Sequence, residues 1–274
     1  MERMIEDYRY GRGLIEHLHR YAFVMPFVKG KVVVDIASGE GYGSNLIAQQ
    51  AAQVTGVDVS AEAVQQAAAK YKRPNLSFVT GSATSIPLND QSVDVVVSFE
   101  TLEHLLEQDQ MIAEIRRVLK PAGMLIISTP EKENYHPTDP DNPYHLKELT
   151  SEEFMSLLGK YFKVVKNFRQ RYLSMSMIYA DRADSAEVIE MSGNFERINP
   201  EENFFGKHLF NIAVASATEL PVTDALRVFN GNAIMEAQTQ YYENKIEEIF
   251  ASRTFLLGKY LLWPFWYVKT KLSK

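Results

Sequence analysis

Apolar positions in this chain follow two periods. Short runs rich in β-branched and aliphatic residues, the pattern of strands, occur at Lys31–Asp35, Gln53–Asp58, Asn75–Thr80, Val93–Ser98 and Met124–Ser128. In the first of them Val32, Val33 and Val34 have no alternating polar partner, as in a strand buried on both faces of a parallel sheet. Helical spacing separates the runs. It runs through residues 1–30, with Leu14, Leu18, Tyr21 and Val24 on one face, and through Ser44–Gln50, Ala61–Tyr71 and Leu102–Leu119, the last stopped by Lys120-Pro121. Further on, the pattern predicts a helix over Ser151–Leu158, a strand over Phe162–Phe168, an alternating last strand over His208–Ser216 and a helix over Asn232–Phe250. Strands alternating with helices make a doubly wound α/β sheet the natural packing.

The turn after the first strand carries the first candidate chemistry. VVVDIASGEGYG ends a buried strand in Asp35 and breaks into Gly39, Gly41 and Gly43, which permit a tight turn and close approach of a ligand to the backbone. Asp58 ends the second strand 23 positions after Asp35. In a βαβ cofactor unit an acid about 20 residues on meets the ribose hydroxyls. The plainer alternative, Asp58 and Ser60 capping the next helix, is outweighed because turn, helix, strand and acid occur in order. The spacing G-E-G-Y-G counts against a dinucleotide, whose pyrophosphate needs G-x-G-x-x-G.

Between residues 130 and 150 lies a loop rich in proline, asparagine, aromatics and histidine, PEKENYHPTDPDNPYHLKELT, long enough to suggest a lid or binding loop. Residues 169–205 are irregular and aromatic, an insertion on the substrate side. The expected division is a domain over 1–218 and a helical tail over 219–274.

Composition changes this picture little. With 274 residues, 46% of them hydrophobic and 23% charged, the chain is of ordinary globular type, and its net charge of −6 argues against a nucleic-acid binder. The absence of cysteine excludes disulfides and thiolate metal sites. A charged N-terminus predicts no secretion and a cytoplasmic location, and no apolar run reaches the roughly 18 residues a membrane span needs. The end of the chain, ASRTFLLGKYLLWPFWYVKTKLSK, combines aromatics with lysines, the composition of a peripheral membrane or protein contact; a helix packed on the protein's own core is the alternative. Oligomeric state carries no signature.

Together, VVVDIASGEGYGS, GVDVS, IPLNDQSVDVVVSFETLEHL and EIRRVLKPAGMLIISTP resemble the class I S-adenosylmethionine-dependent methyltransferases over about residues 19–168. The resemblance implies a Rossmann-like sheet of seven strands with the last antiparallel, and S-adenosylmethionine across the strand ends. It places Asp35 and the backbone of Ala37, Gly39 and Gly41 at the methionine part, Asp58 and Val59 at the ribose, Ser82 and Ala83 at the adenine, and Phe99 and Glu100 at the pocket border. Ala37 stands where many relatives have glycine, and Ser82 where an aspartate is frequent.

In such an enzyme the sulfonium carries the reactivity and no metal is required; the protein aligns the acceptor and excludes water. A hydroxyl acceptor benefits from a base. The candidates are His104, in SFETLEHL where a helix is expected to begin, and His145, beside Tyr144 on the substrate side of the loop; local packing is the alternative for both. His136 and Glu103 are further candidates that rank behind them, Glu103 reading more readily as solvent-facing or capping. Arg20 could meet the cofactor carboxylate or lie on a surface helix. At a finer level, STPEKENY, NPYHLKEL and the basic aromatic tail resemble methyltransferases of bacterial cell-surface glycan synthesis, which implies O-methylation of a sugar in a polysaccharide or lipid-linked glycan. A quinone precursor or other hydrophobic acceptor, and a non-catalytic cofactor-binding subunit, are the alternatives.

Overall fold

The computed structural model describes residues 11–140, 142–173, 191–193, 198–200, 208–220 and 227–258. The chain divides into two compact units, residues 16–227 together with 1–3, and residues 4–15 together with 228–274.

The first unit holds a seven-stranded sheet. In chain order the elements are α1 (Arg12–Val28), β1 (Val32–Ile36), α2 (Tyr42–Ile47), β2 (Gln53–Asp58), α3 (Ala61–Lys70), β3 (Leu76–Thr80), β4 (Val93–Phe99), α4 (Gln108–Val118), β5 (Leu119–Pro130), α5 (Lys132–Tyr135), α6 (Ser151–Gly159), β6 (Val164–Gln170), β7 (Met191–Gly193), β8 (Ile198–Pro200), β9 (Phe210–Ser216) and α7 (Asn232–Ala251). The sheet order is β3-β2-β1-β4-β5-β9-β6, and β9 runs antiparallel to both its neighbours while the other strands are parallel. The expected sheet is therefore present, antiparallel last strand included. Its order reverses at β1/β4, the switch point at which ligands bind in such sheets.

Strand parity decides which helix each residue meets. Val33, Val95, Val97, Ile126 and Val214 face α1 and α2 through Tyr21, Val24, Phe27 and Ile47. Their neighbours Val34, Val96, Leu125, Ile127 and Ala213 pack against Met111, Ile112 and Ile115 of α4 and Phe154 and Leu158 of α6. Both faces are covered, so the parallel strands read as continuous apolar runs.

Three local expectations change. The helix expected over 102–119 is a 3-10 turn at Leu102–His104 followed by α4 from Gln108. The cause is competition for carbonyls: Glu103 O accepts from Leu146 N and Lys147 N, and Leu102 O accepts from the Gln108 side chain. A continuous helix would need those oxygens. Next, α4 ends at Val118 with Leu119 as its cap, just ahead of Lys120-Pro121 as expected, but β5 begins at once at Leu119 instead of at Met124 and passes Pro121 through an irregularity in its pairing with β4. Finally, β9 is buried at all seven positions, not alternately, because both faces of the sheet are covered there, Ala213 and Ala215 packing on one side and Ile212 and Val214 on the other.

Within the insertion, β7 and β8 pair antiparallel, Met191 opposite Pro200; the aromatic positions expected at 174–190 and 201–205 lie outside the described residues, as does the tail from residue 259. In the second unit, α7 buries none of its residues, and Tyr241, Tyr242, Ile246, Ile249, Phe250 and Leu257 are exposed. No described helix is long and apolar enough to cross a membrane.

The entry to α2 is tightly fitted: a Cβ on Gly43 would stand 2.0 Å from Tyr21 Cζ. Gly43→Ala is expected to destabilise the protein by about 1–3 kcal/mol in urea unfolding. Most of that loss should vanish in a Tyr21→Ala background, and additivity of the two changes would contradict the contact.

Candidate functional site

The glycine turn leaves β1 in a left-handed backbone. Ala37, Gly39 and Gly41 have φ of 59°, 52° and 79°, and Ala37 holds this conformation without being glycine, at a cost of roughly 1 kcal/mol. Ser38 N donates to Val57 O and Gly41 N to Ser38 O, which pins the turn to β2. A Cβ on Gly41 would meet Phe78 at 2.6 Å and Ala67 at 2.7 Å, so this glycine is required by close approach as well as by φ.

Two buried acids brace that turn. Asp58 accepts from Gly39 N (2.8 Å) and Ser60 N (2.9 Å), while Ser60 caps α3 through Ala63 N. The capping geometry and the acid at the strand tip thus coexist. Asp35 is 1% exposed and accepts from Ser44 Oγ at 2.6 Å, tying β1 to α2. Burial raises its pKa to about 7, with the Ser44 hydrogen bond opposing and the Asp58 charge adding to the rise.

Around this turn stands an aromatic wall. The Tyr21 ring meets Tyr42 and Phe99 edge-on, at 5.5 and 5.2 Å, and Tyr42 Oη lies 3.0 Å from His17 Nδ1. Burial, then the Arg20 charge, holds His17 well below the usual histidine range. Arg20 is not on a helix surface. It is 1% exposed, donates to Gln170 Oε1 at 3.0 Å, lies over the Phe210 ring and reaches Glu100 Oε1 at 3.7 Å. Glu100 itself has φ 50°, and Ser128 Oγ both accepts from its backbone N–H and donates to its carboxylate.

The remaining expected cofactor residues sit at strand ends. Val59 follows β2 and is 54% exposed. Ser82, just past β3, contacts Thr84 through its hydroxyl, with half-buried Ala83 between them. Phe99 is buried at the end of β4.

Glu103 corrects the sequence reading: it is 1% exposed, neither solvent-facing nor a cap. Its Oε2 accepts from Thr129 Oγ1 at 3.1 Å, while its Oε1 has no hydrogen-bond partner. Burial first, then the Glu100 charge, pushes its carboxyl well above the usual range. His104 and His145 come together beside it, their rings 5.2 Å apart and edge-on. His104 Nδ1 lies 2.8 Å from Tyr144 O, and His145 Nδ1 2.6 Å from Glu148 Oε1. Tyr144 is 46% exposed, so its backbone serves the site while its ring meets solvent. His136 shares Glu148 from the other side, at 3.3 Å, and the Tyr135 ring stacks on His145.

This pairing exists because the loop is fastened down. Besides the two bonds to Glu103 O, buried Gln108 donates to Leu102 O and to Lys147 O at 2.7 Å, joining the segment after β4 to the loop after β5. The loop also lines a cleft of about 310 Å³ with Lys132, His136, Asp139, Asn142, His145 and Glu148. Sequence reading missed Gln108, Glu148 and Ser44. Only Glu148 left a trace, three residues after His145 in HLKE.

Residues 34–127 match a family described as a methyltransferase domain. A probable S-adenosylmethionine-dependent methyltransferase of Mycolicibacterium smegmatis is 40% identical over 131 residues, covering 47% of this chain and 50% of that one. A demethylmenaquinone methyltransferase of Renibacterium salmoninarum is 34% identical over 111 residues, 40% of this chain and 44% of its own. The chain thus spans about half the length of these curated relatives. Among solved structures, a chain from the complex between the Haloferax volcanii Trm112 methyltransferase activator and a methyltransferase superposes with a TM-score of 0.58 at 22% identity, covering 75% of this chain and 90% of that one. At that identity the likeness concerns the fold.

Two outcomes follow from this geometry. Asp35 titrates near 3.8 when unfolded and about 7 when folded, so the native state holds the extra proton between those values. Its contribution to stability is full below about pH 4 and declines by up to about 1.4 kcal/mol per unit as pH rises to 7; Asp35→Asn should remove that slope from urea unfolding of the cofactor-free protein. Gln108→Ala removes the side-chain donor shared by Leu102 O and Lys147 O and should lower stability by about 1 kcal/mol, with faster proteolysis between residues 131 and 149. Unchanged cleavage would contradict the fastening.

Proposed function

Taking residues 34–127 as a class I S-adenosylmethionine-dependent methyltransferase domain, we propose that the chain methylates a hydroxyl of a sugar in a cell-surface polysaccharide or lipid-linked glycan. The observation that carries the reading is the grouping of acids at the switch point of the sheet. Asp35, Asp58 and Glu103 are buried there, with Glu100 nearly so, against one buried cation, Arg20. Enclosed carboxyls, two of them with raised proton affinity, gain a counter-charge from a ligand bearing a sulfonium and an ammonium, and the guanidinium suits its carboxylate. The glycine turn, where a Cβ on Gly39 would meet nothing within 4 Å, offers backbone to such a ligand.

In this reading Asp35 and the backbone of Ala37, Gly39 and Gly41 hold the methionine part, Asp58 and Val59 the ribose, Ser82 and Ala83 the adenine, and Phe99 and Glu100 the pocket edge. When bound, S-adenosylmethionine supplies a methyl group whose bond to sulfur breaks as the acceptor oxygen bonds to carbon, leaving neutral S-adenosylhomocysteine. Arg20, tied to Gln170 and Glu100, orients a carboxylate without moving. Tyr21, Tyr42 and Phe99 exclude water from the reacting end. The acceptor's proton must leave as its oxygen bonds to carbon, and the Glu103, His104 and His145 cluster is where the chain offers groups that promote this loss.

The acceptor class is argued from the cleft on the loop. Lys132, His136, Asp139, Asn142 and Glu148 bring hydrogen-bonding groups to a lining shared with Pro140 and Leu146, and its volume of about 310 Å³ falls in the small-molecule range. A sugar ring, with hydroxyls at its edge and C–H groups on its faces, suits such a mixed lining. The quinone alternative is favoured by one observation, the demethylmenaquinone methyltransferase among the relatives. The exposed apolar residues at 241–257 support a membrane or protein contact for the tail.

Titration calorimetry with S-adenosylmethionine should give one binding event, weakened at least tenfold by Asp58→Ala. Below pH 7 binding should release a proton, because a cation beside Asp35 lowers the raised pKa; the heat then varies with buffer ionisation enthalpy. Mass spectrometry after incubation with nucleotide sugars, glycolipids and quinone precursors should find the methylated sugar. A methylated quinone alone would overturn the glycan reading, and binding without any product would favour a non-catalytic subunit.

A further inference from the structure

We propose that Glu103, His104 and His145 form a site for one divalent transition-metal cation, which takes the acceptor hydroxyl as a further ligand. The acceptor part deepens the methyltransfer reading and rests on it; the metal site itself does not.

The ligand atoms of the three side chains lie within 4.8 Å of one another. Glu103 and His104 are prepared for ligation, and the His145 ring is held in place beside them. Glu103 is 1% exposed, and its Oε1 has no hydrogen-bond partner, although Thr129 satisfies the other oxygen. A buried carboxylate oxygen left in this way calls for a cation. Tyr144 O can only accept, so the His104 Nδ1 that faces it carries the proton and Nε2 presents its lone pair. That Nε2 is 4.0 Å from Glu103 Oε1. Glu148, a carboxylate, orients the His145 ring through Nδ1, the outer-sphere arrangement that fixes a ligating histidine.

Geometry and charge agree with an ion. Ligands around a cation at about 2.0–2.2 Å lie about 3 Å apart, so the Glu103–His104 edge has about 1 Å to close, within a side-chain rotation. The segments bearing the ligands are already joined backbone to backbone through Glu103 O, Leu146 N and Lys147 N. Glu100 stands close enough to add its charge to that of Glu103, which a divalent ion would offset.

Two imidazoles and one carboxylate favour Mn²⁺, Fe²⁺, Co²⁺ or Zn²⁺ over Ca²⁺ and Mg²⁺, which prefer all-oxygen sets. Three protein ligands leave positions open. A sugar hydroxyl bound there loses its proton to solvent more readily, by the same polarisation that makes metal-bound water acidic. The histidines would then act as ligands, and the ion would promote the proton loss for which they are otherwise the candidates.

The test uses the full chain stripped with a chelator and titrated with Co²⁺, followed by visible absorption and calorimetry, with S-adenosylmethionine binding measured on the same samples. One Co²⁺ per chain is expected, with affinity reduced at least tenfold in Glu103→Gln, His104→Ala and His145→Ala while S-adenosylmethionine binding persists as the sign of an intact domain. Absence of stoichiometric Co²⁺ binding by the unaltered chain would overturn the site, and so would equal affinity in both histidine variants. Should the chain bind Co²⁺ but not S-adenosylmethionine, the site would stand and the methyltransfer reading would fall.

Discussion

Buried charge at the carboxyl end of a parallel sheet is the constraint on which the rest depends. A carboxylate removed from water must find donors, a counter-charge or a proton. Asp58 takes two backbone N–H groups, Asp35 takes a serine and a raised proton affinity, Glu100 takes Ser128 and the edge of Arg20, and Glu103 satisfies only one of its oxygens within the fold. Each solution also builds something. The first two hold the glycine turn, the third holds a left-handed residue after β4, and the fourth leaves a reactive edge.

The turn and the loop are joined through the same end of the sheet but by different physics. Around the turn, van der Waals fit dominates, with Tyr21 against Gly43 and Phe78 against Gly41. Around the loop, directional hydrogen bonds dominate, with Gln108 and Glu103 O binding 146 and 147. Under the proposed function, fit at the turn would hold one fixed ligand and hydrogen bonds at the loop would align one oxygen.

Much of this was legible beforehand. The valine runs at β1 and β4 announced strands buried on both sides, and Asp35, the glycines and Asp58 marked the switch point, because these signals are local in the chain. Element ends were less legible. The expected helix from Leu102 failed because the Glu103 carbonyl bonds to residues 146 and 147, and β9 lost its alternation because helices cover both faces of the sheet there. Glu103 looked like a surface acid for the same reason: its surroundings come from β5 and the loop.

By itself, then, the sequence determined the strand and helix order, the apolar faces and the glycine turn, since periodicity and backbone preference act over a few residues. Tertiary structure alone decided that Arg20 is buried, that Gln108 fastens the loop, and that Glu103 and His104 meet His145. Those contacts span about 40 to 150 positions along the chain, and no local pattern encodes which distant donor will satisfy a buried acceptor.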